Sequence, residues 1–178
     1  MSILKIARMG HPVLRTVAAP VATITDEVRR LIDDMIETMV DAEGIGLAAP
    51  QVHRPERVIV FLDVERRDET AAARPIVLIN PEITPLGDEM ELGLEGCLSM
   101  PGLRGLVPRH ARIRYRGQDP SGRTVEREAV GLHARVVQHE VDHLGGILYP
   151  ERMTDLRTLV FESELRHLAT AAEKEPSV

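Results

Sequence analysis

A regular repeat of apolar side chains near the start of the chain is the strongest constraint on its fold. Residues 24–43, ITDEVRRLIDDMIETMVDAE, place apolar residues at the i, i+3, i+4 and i+7 spacing of one helical face. Thr25 or Asp26 can cap the first turn, and Gly44 can end the last. The segment therefore predicts an amphipathic helix that covers a core with one face.

The segments that follow this helix have the pattern of strands. Residues 57–64 and 74–83 are short, rich in β-branched side chains and bounded by turn-forming residues, so they predict buried strands with a polar loop at 65–73. Residues 111–130 contain two alternating runs around Asp-Pro-Ser-Gly at 119–122, which predicts a β-hairpin.

Two more helices are predicted towards the C-terminus. One runs from about 131 to 144, and an amphipathic one runs from about 154 to 172, with 170–178 as a frayed tail. Helices and strands are segregated along the chain, which is typical of an α+β fold with mainly antiparallel sheets. Because 178 residues, 43% of them hydrophobic, suffice for one core, we predict a single compact domain over 1–178.

Composition and charge argue against several classes of protein. The net charge of -6 and an aromatic content of 2% disfavour a nucleic-acid binder, which needs basic side chains and stacking platforms. The segment MSILKIARMGHPVLR lacks the apolar run of a signal peptide, and no stretch is long enough for a membrane span. Since Cys97 is the only cysteine, no internal disulfide can form, and we expect a cytoplasmic protein.

The clearest sign of chemistry is the segment QHEVDH, which contains an H-E-x-x-H motif. His139 and His143 lie four residues apart on the predicted helix, so both imidazoles can face one metal ion, with Glu140 beside them. The same five residues can also arise by chance on an exposed helix. A third metal ligand is therefore the feature that would distinguish a catalytic site.

Three alternatives exist for the third ligand. Tyr149 stands where a longer metallopeptidase pattern requires histidine, so that pattern fails. Glu162 or Glu164 would suit a thermolysin-like arrangement, although both lie in a charged, surface-like stretch. Cys97, in EGCLSMPG, lies before a turn that can approach the helix, although a lone cysteine is often only a small buried hydrophobe.

A glycine-rich segment, EGIGLAAPQV, follows the first helix. Gly44 and Gly46 allow a ligand to approach the backbone closely, and Ala48 and Ala49 leave room beside it. Gln51 offers a neutral amide that can donate a hydrogen bond to an oxygen. The segment is weak evidence by itself, since such glycine pairs are common where helices end.

Together, GIGLAAPQ, EGCLS and QHEVDH resemble the three signature motifs of the peptide deformylases in their order and separation. The resemblance extends from MGHPVLR through VLINPEI and LVPR to GILYPERM, and it weakens after about Asp155. It implies an α+β fold in which antiparallel sheets pack around a central H-E-x-x-H helix, with amphipathic helices at the two ends of the chain.

The resemblance also implies a role for each matching residue. The ligands to one divalent metal ion would be Cys97, His139 and His143. Glu140 would be the general acid/base, and the Gln51 amide and the Leu98 N–H would bind the developing oxyanion. The residues that bind the substrate backbone or line a methionine pocket would be Ile45, Gly46, Arg104, Leu132 and Val136.

The implied reaction is removal of the N-formyl group from the formylmethionine of new polypeptides, with release of formate. In that reaction a metal-bound water attacks the formyl carbon. The resemblance favours Fe²⁺ in the cell, with Zn²⁺, Ni²⁺ or Co²⁺ in purified protein. It implies N-formylmethionyl nascent peptides as partners, together with the ribosome near its exit tunnel, although the acidic tail EKEPSV differs from the basic tails of some relatives. No specific nucleic acid and no membrane are expected.

Three charged residues near the motifs have predicted supporting roles. Asp142 would either orient a neighbouring basic group or remain a solvated carboxylate. Glu95 would brace the cysteine loop by pairing with Arg104 or Arg109. Arg135 would face away from the pocket, towards a carboxylate, although some relatives carry an apolar residue there.

Two other functions compete with this hypothesis. One is a small metallopeptidase that uses Glu162 or Glu164 as its third ligand. The other is a binding module, either one in which a metal has a purely structural role or a degenerate relative that binds formyl peptides without turnover. Structural sites usually fill all four positions with several cysteines, and this chain has one, so chemistry is favoured.

Overall fold

The first long helix forms where the sequence predicts it. In the computed structural model, which describes residues 2–64 and 75–172, helix α1 spans Asp26–Asp41. The Thr25 hydroxyl caps it by accepting a hydrogen bond from the Val28 N–H at 3.4 Å. No helix among the described residues has the length and apolar character needed to cross a bilayer.

The described residues form eight strands in two antiparallel sheets. The strands are β1 (Gly46–Ala48), β2 (Val58–Leu62), β3 (Pro75–Pro85), β4 (Met90–Cys97), β5 (Met100–His110), β6 (Arg112–Gln118), β7 (Thr124–Val130) and β8 (Val160–Phe161). The larger sheet has the order β1-β2-β3-β6-β7, and the smaller has the order β4-β5-β8. β1 and β4 therefore each lie at an edge of their sheet.

Two hairpins have turns that explain their register. In the predicted β6–β7 hairpin, the Asp119 carboxylate accepts hydrogen bonds from the N–H groups of Ser121 at 2.8 Å and Arg123 at 3.1 Å, which fixes the turn. In the β4–β5 hairpin, Cys97 pairs with Met100 across a two-residue turn. That turn places the only cysteine at the tip of the smaller sheet.

Helix α2, Gly131–Leu144, is the centre of the fold and packs against both sheets. Ala134 and Val137 on this helix join a buried apolar cluster with Phe61 and Tyr115 of the larger sheet. Helix α1 covers a second cluster, which includes Val60 of β2. The α+β fold with a central H-E-x-x-H helix is therefore confirmed.

The predicted C-terminal helix is wrong at its start. Leu156–Thr158 and Glu162–Glu164 form short 3-10 turns, and β8 lies between them. Val160 and Phe161 pair with Arg104 and Leu103 of β5, and this sheet pairing overrides the local helical pattern. Helix α3 begins only at Leu165 and ends at Ala172. The predicted loop at 65–73 and the tail at 173–178 lie outside the described residues.

Candidate metal centre

Three side chains converge beside the C-terminal half of helix α2. The rings of His139 and His143 have centroids 5.0 Å apart, and the Cys97 sulfur lies 3.3 Å from His143 Nε2. One ligand atom from each of the three residues lies within 4.8 Å of the other two. Ligand atoms of a four-coordinate site are roughly 3.5 Å apart, so this sulfur and nitrogen donor set fits one divalent ion.

The ring of His139 is oriented by Glu95, whose predicted role was only to brace the cysteine loop. Glu95 Oε2 lies 2.8 Å from His139 Nδ1, which leaves the other ring nitrogen for a metal. Arg109 donates to both oxygens of the same carboxylate, at 2.9 and 3.0 Å. Burial would raise the pKa of Glu95, but hydrogen bonds to Arg109 and His139 lower it to about 2.

The two histidines have opposite pKa shifts. Burial lowers the pKa of His143 well below its ordinary value, so this ring is neutral and able to bind metal. Burial would also lower the pKa of His139, but hydrogen bonds to Cys97 and Glu95 raise it well above its ordinary value. The two rings differ because the Glu95 carboxylate lies 2.8 Å from Nδ1 of His139.

The buried charges around Glu95 form a connected network. Arg109, which is 5% exposed, donates to Glu95 and also to the Asp142 carboxylate at 2.5 Å. Arg152 donates to Asp142 at 2.7 Å from the more exposed side. Asp142 thus orients basic groups, as predicted, and the partner of Glu95 is Arg109 rather than Arg104. Such a pair holds its geometry because breaking it would leave a buried charge uncompensated.

Glu140 is buried next to the three ligands. Within the described part of the chain, its Oε2 atom has no hydrogen-bond partner. Burial raises the pKa of this carboxyl to about 7. Gly46 makes room for it, since a β-carbon at that position would contact the carboxylate directly and lie 2.8 Å from Cδ. A buried carboxylate without a partner is costly, and such groups are typical of functional sites.

Gln51 points its amide nitrogen at the metal ligands. Its Oε1 accepts a hydrogen bond from the Ala48 N–H at 2.8 Å, so Nε2 must face the other way. Nε2 lies 3.5 Å from the Cys97 sulfur and 3.2 Å from the Ser99 hydroxyl. Ser99 was not predicted as part of the site, although its place two residues after the cysteine within EGCLS was a usable signal. Leu98 lies with it in the β4–β5 turn.

A cavity of about 660 Å³ opens beside the three ligands and Glu140. On one side it is lined by the end of β4, and on the other by residues 42–46, which lead into β1. Ile45 and Leu132 are 45% and 54% exposed, whereas Val136 is 5% exposed. The two sheet edges therefore flank a groove whose walls are partly apolar.

The structure contradicts the predicted roles of two residues that line the groove, Glu162 and Arg135. Glu162, a candidate third ligand, lines the cavity but forms an ion pair with Arg104 at 2.9 Å, and Glu164 faces His167 at 3.5 Å. Among the described residues, neither belongs to a cluster of metal-ligating side chains. Arg135 contacts the Glu95 carboxylate at 2.9 Å, as expected, yet it lines the cavity instead of facing away.

Comparisons with known proteins give a consistent result. The family model described as "Polypeptide deformylase" matches residues 3–158. Peptide deformylase 1 of Bordetella pertussis is 57% identical over 155 residues, which are 85% of this chain and 88% of that protein. Peptide deformylase 1 of Xanthomonas campestris is 51% identical over 166 residues, which are 92% of this chain and 97% of that one.

The solved structures that match this chain are also peptide deformylases. The crystal structure of peptide deformylase from Thermotoga maritima matches with a TM-score of 0.80 and 40% identity, covering 87% of this chain and all (100%) of that one. A Met-Ala-Ser bound class I type b peptide deformylase from Acinetobacter baumannii matches with a TM-score of 0.77 and 39% identity, covering 85% of this chain and 100% of its own.

Proposed function

This chain belongs to the peptide deformylase family, and we propose how its residues carry out the reaction of that family, the hydrolytic removal of the N-formyl group from nascent polypeptides. The observation that carries the proposal is the convergence of Cys97, His139 and His143 within 4.8 Å, beside a carboxylate oxygen of Glu140 that has no partner in the described part of the chain. The same groove is bordered by two sheet edges, which suits an extended peptide.

Cys97, His139 and His143 would hold one divalent ion. When bound, it would supply Lewis-acid chemistry, polarising the formyl carbonyl and making water a better nucleophile near neutral pH. We propose Fe²⁺ as the ion in the cell, with Zn²⁺, Ni²⁺ or Co²⁺ in purified protein, because one thiolate and two imidazoles suit all four. Metal analysis of anaerobically prepared protein would distinguish them.

Glu140 moves the proton in this proposal. Its carboxylate accepts a proton from the attacking water and then donates it to the departing amine, which releases formate and a free methionine N-terminus. The Oε2 atom has no hydrogen-bond partner among the described residues, and the carboxylate lines the cavity together with Cys97 and His139; both observations support this role.

Gln51 and Leu98 would stabilise the negative charge that develops on the formyl oxygen. The Ala48 N–H fixes the Gln51 amide with its nitrogen towards the ligands, so the donor is oriented before substrate arrives. The Leu98 N–H, in the β4–β5 turn next to Cys97, would be the second donor.

The substrate would lie along the groove. Gly46, at the start of β1, and the end of β4 would offer backbone groups to the peptide. The guanidinium of Arg104 packs against Gly96, so closely that a β-carbon on Gly96 would collide with it. Ile45, Leu132 and Val136 would contact the methionine side chain. A formyl carbon carries only hydrogen, so a narrow site can admit it and exclude a peptide carbonyl.

Formate release is the direct test of the proposed function. We expect formyl-Met-Ala-Ser to release formate rapidly with protein loaded anaerobically with Fe²⁺ or Ni²⁺. Acetyl-Met-Ala-Ser, which differs only by a methyl group on the carbonyl carbon, should release no acetate under the same conditions. Absence of formate from folded, metal-loaded protein would exclude this function and favour peptide-bond cleavage or binding without turnover.

The Gln51→Ala variant should lose activity without losing metal. Removing one preorganised oxyanion donor typically lowers kcat by about 10²- to 10³-fold, and we expect a loss in that range. The measurement is kcat for formate release at saturating substrate, with metal content determined on the same sample. Gln118→Ala, on β6 and outside the cavity, is the matched control and should behave as wild type. An unchanged kcat for Gln51→Ala would exclude the oxyanion role.

The Gly46→Ala variant should also keep its metal and lose activity. The added β-carbon would meet the Glu140 carboxylate and displace it. We expect kcat to fall about 10²-fold, within the range that positioned proton transfer contributes. Steady-state kinetics and metal analysis on one preparation test this. Full activity of Gly46→Ala would mean that the Glu140 carboxylate need not lie where this structure places it during the reaction.

Three further proposals concern the whole protein. We propose a single catalytic domain over 1–178, because α2 packs against both sheets. A role on nascent chains supports the cytoplasm as its location and the ribosome near the exit tunnel as a partner. Cosedimentation with ribosomes, compared with and without residues 173–178, would test the last of these.

A further inference from the structure

We infer that Arg135 is a positioning residue, which ties the substrate-facing strand β4 to helix α2, and that it requires glycine at position 93. Arg135 lies one turn before His139, and its side chain is only 10% exposed. The inference rests on the proposed function, because it concerns how the same groove holds a formylated peptide.

One guanidinium connects both strands of the β4–β5 hairpin to the helix. Arg135 Nη2 donates to the Glu91 carbonyl of β4 at 2.7 Å, and Nη1 donates to the Val107 carbonyl of β5 at 2.7 Å. Nη1 also lies 2.9 Å from Glu95 Oε1. Arginine suits this place because its planar group presents several donors in a fixed fork, which the single ammonium of lysine does not.

Gly93 makes this arrangement possible. A β-carbon on Gly93 would lie 2.6 Å from both Cζ and Nη2 of Arg135, closer than side chains approach one another. The backbone at Gly93 is not in the left-handed region, so its conformation does not demand glycine. Glycine is required at position 93 because the guanidinium of Arg135 packs directly against the strand there. The two residues therefore depend on each other.

The position of β4 matters because its open edge faces the groove. Among the described residues β4 pairs only with β5, and Leu94, Glu95 and Gly96 line the cavity. A peptide that pairs with this edge gains hydrogen bonds only if the strand lies at the right distance from the ligands on α2. Arg135 on α2 sets the distance between β4 and the metal ligands. The Glu95 carboxylate contacts both Arg135 and His139, and so connects the two residues.

The test compares two substrates in each variant. In the proposed binding mode formyl-Met-Ala-Ser would extend along the β4 edge, whereas formyl-Met amide would end before it. A change that only unfolds some of the protein lowers the rates of both substrates equally, so it leaves the ratio of their kcat/KM values unchanged. A displaced β4 lowers that ratio, mainly through a higher KM for the tripeptide.

For Arg135→Met we expect the ratio to fall about 5- to 10-fold, as the loss of one or two hydrogen bonds to the substrate would give. Arg135→Lys, which keeps the charge but loses the fork, should give an intermediate ratio. Gly93→Ala should lower the ratio as well. In the Arg135→Met background the same Gly93→Ala change should have a smaller effect, because the guanidinium it collides with is gone.

The outcomes separate the two levels of the proposal. Wild type that releases no formate from either substrate would overturn the proposed function and this inference with it. Formate release by wild type, with wild-type ratios in both folded Arg135 variants, would overturn the inference alone. Thermal unfolding of each variant identifies the folded samples, and Arg135→Lys provides the comparison if Arg135→Met does not fold.

Discussion

The Glu140→Gln variant should bind metal as wild type does and lose almost all formate release. Positioned general acid/base catalysis contributes about 10²- to 10⁴-fold, and we expect a loss of that size in kcat. The amide has nearly the shape of the carboxylate but cannot take up the proton of the attacking water. Single-turnover formate release, with metal content measured on the same preparation, gives the result directly.

Stability distinguishes this loss from damage to the fold. The Glu140 carboxylate is 5% exposed and its Oε2 has no partner among the described groups, so a neutral side chain there removes a cost of burial. The Tm of Glu140→Gln should therefore equal or exceed that of wild type. Glu126→Gln, on the exposed face of β7, is the matched control for both measurements. A Glu140→Gln enzyme with wild-type kcat would exclude Glu140 as the proton carrier.

The Cys97→Ala variant should lose its metal and, with it, its activity. Loss of an outer hydrogen-bonding partner usually lowers metal affinity about 10- to 100-fold, and loss of one of three ligands should exceed that range. Equilibrium dialysis against a metal buffer measures the affinity, and circular dichroism shows whether the fold is kept. Cys97 is half-buried at a turn, so replacing it with alanine should leave the fold intact.

A matched variant tests the competing third ligand. Glu162→Ala removes the glutamate of the metallopeptidase hypothesis, which in this structure pairs with Arg104. It should retain metal at wild-type affinity. The reverse pattern, with metal kept by Cys97→Ala and lost by Glu162→Ala, would transfer the ligand role to the glutamate and contradict the site described here.

The sequence predicted those parts of the structure that depend on local pattern. Helix α1 formed because the apolar repeat over 24–43 and the Thr25 cap agree with each other, and the β6–β7 hairpin formed around the turn that Asp119 fixes. The three ligands were found because each lies in a short motif. Their convergence was expected from the family resemblance, since no local rule brings the tip of β4 to the C-terminal half of α2.

The errors came where distant residues decide the outcome. Residues 154–164 have a helical pattern, yet Val160 pairs with Arg104, more than fifty residues earlier in the chain. The partner of Glu95 depended on which arginine of β5 faces inward, and alternation along that strand buries Arg109 and leaves Arg104 at the groove. Arg135 was expected to face away from the pocket, and the backbone carbonyls that hold it at the cavity come from β4 and β5, which no pattern within α2 reveals.

The two open sheet edges at the groove also bear on solubility. An unpaired edge can recruit a strand from another molecule and so begin aggregation, and many proteins protect such edges with charges, proline or bulges. Here the edges of β1 and β4 border a concave cavity, with α2 forming part of its lining. That shape admits a single extended chain end and obstructs the approach of another folded sheet. The groove that we propose for formylated peptides is thereby less open to pairing with copies of the protein itself.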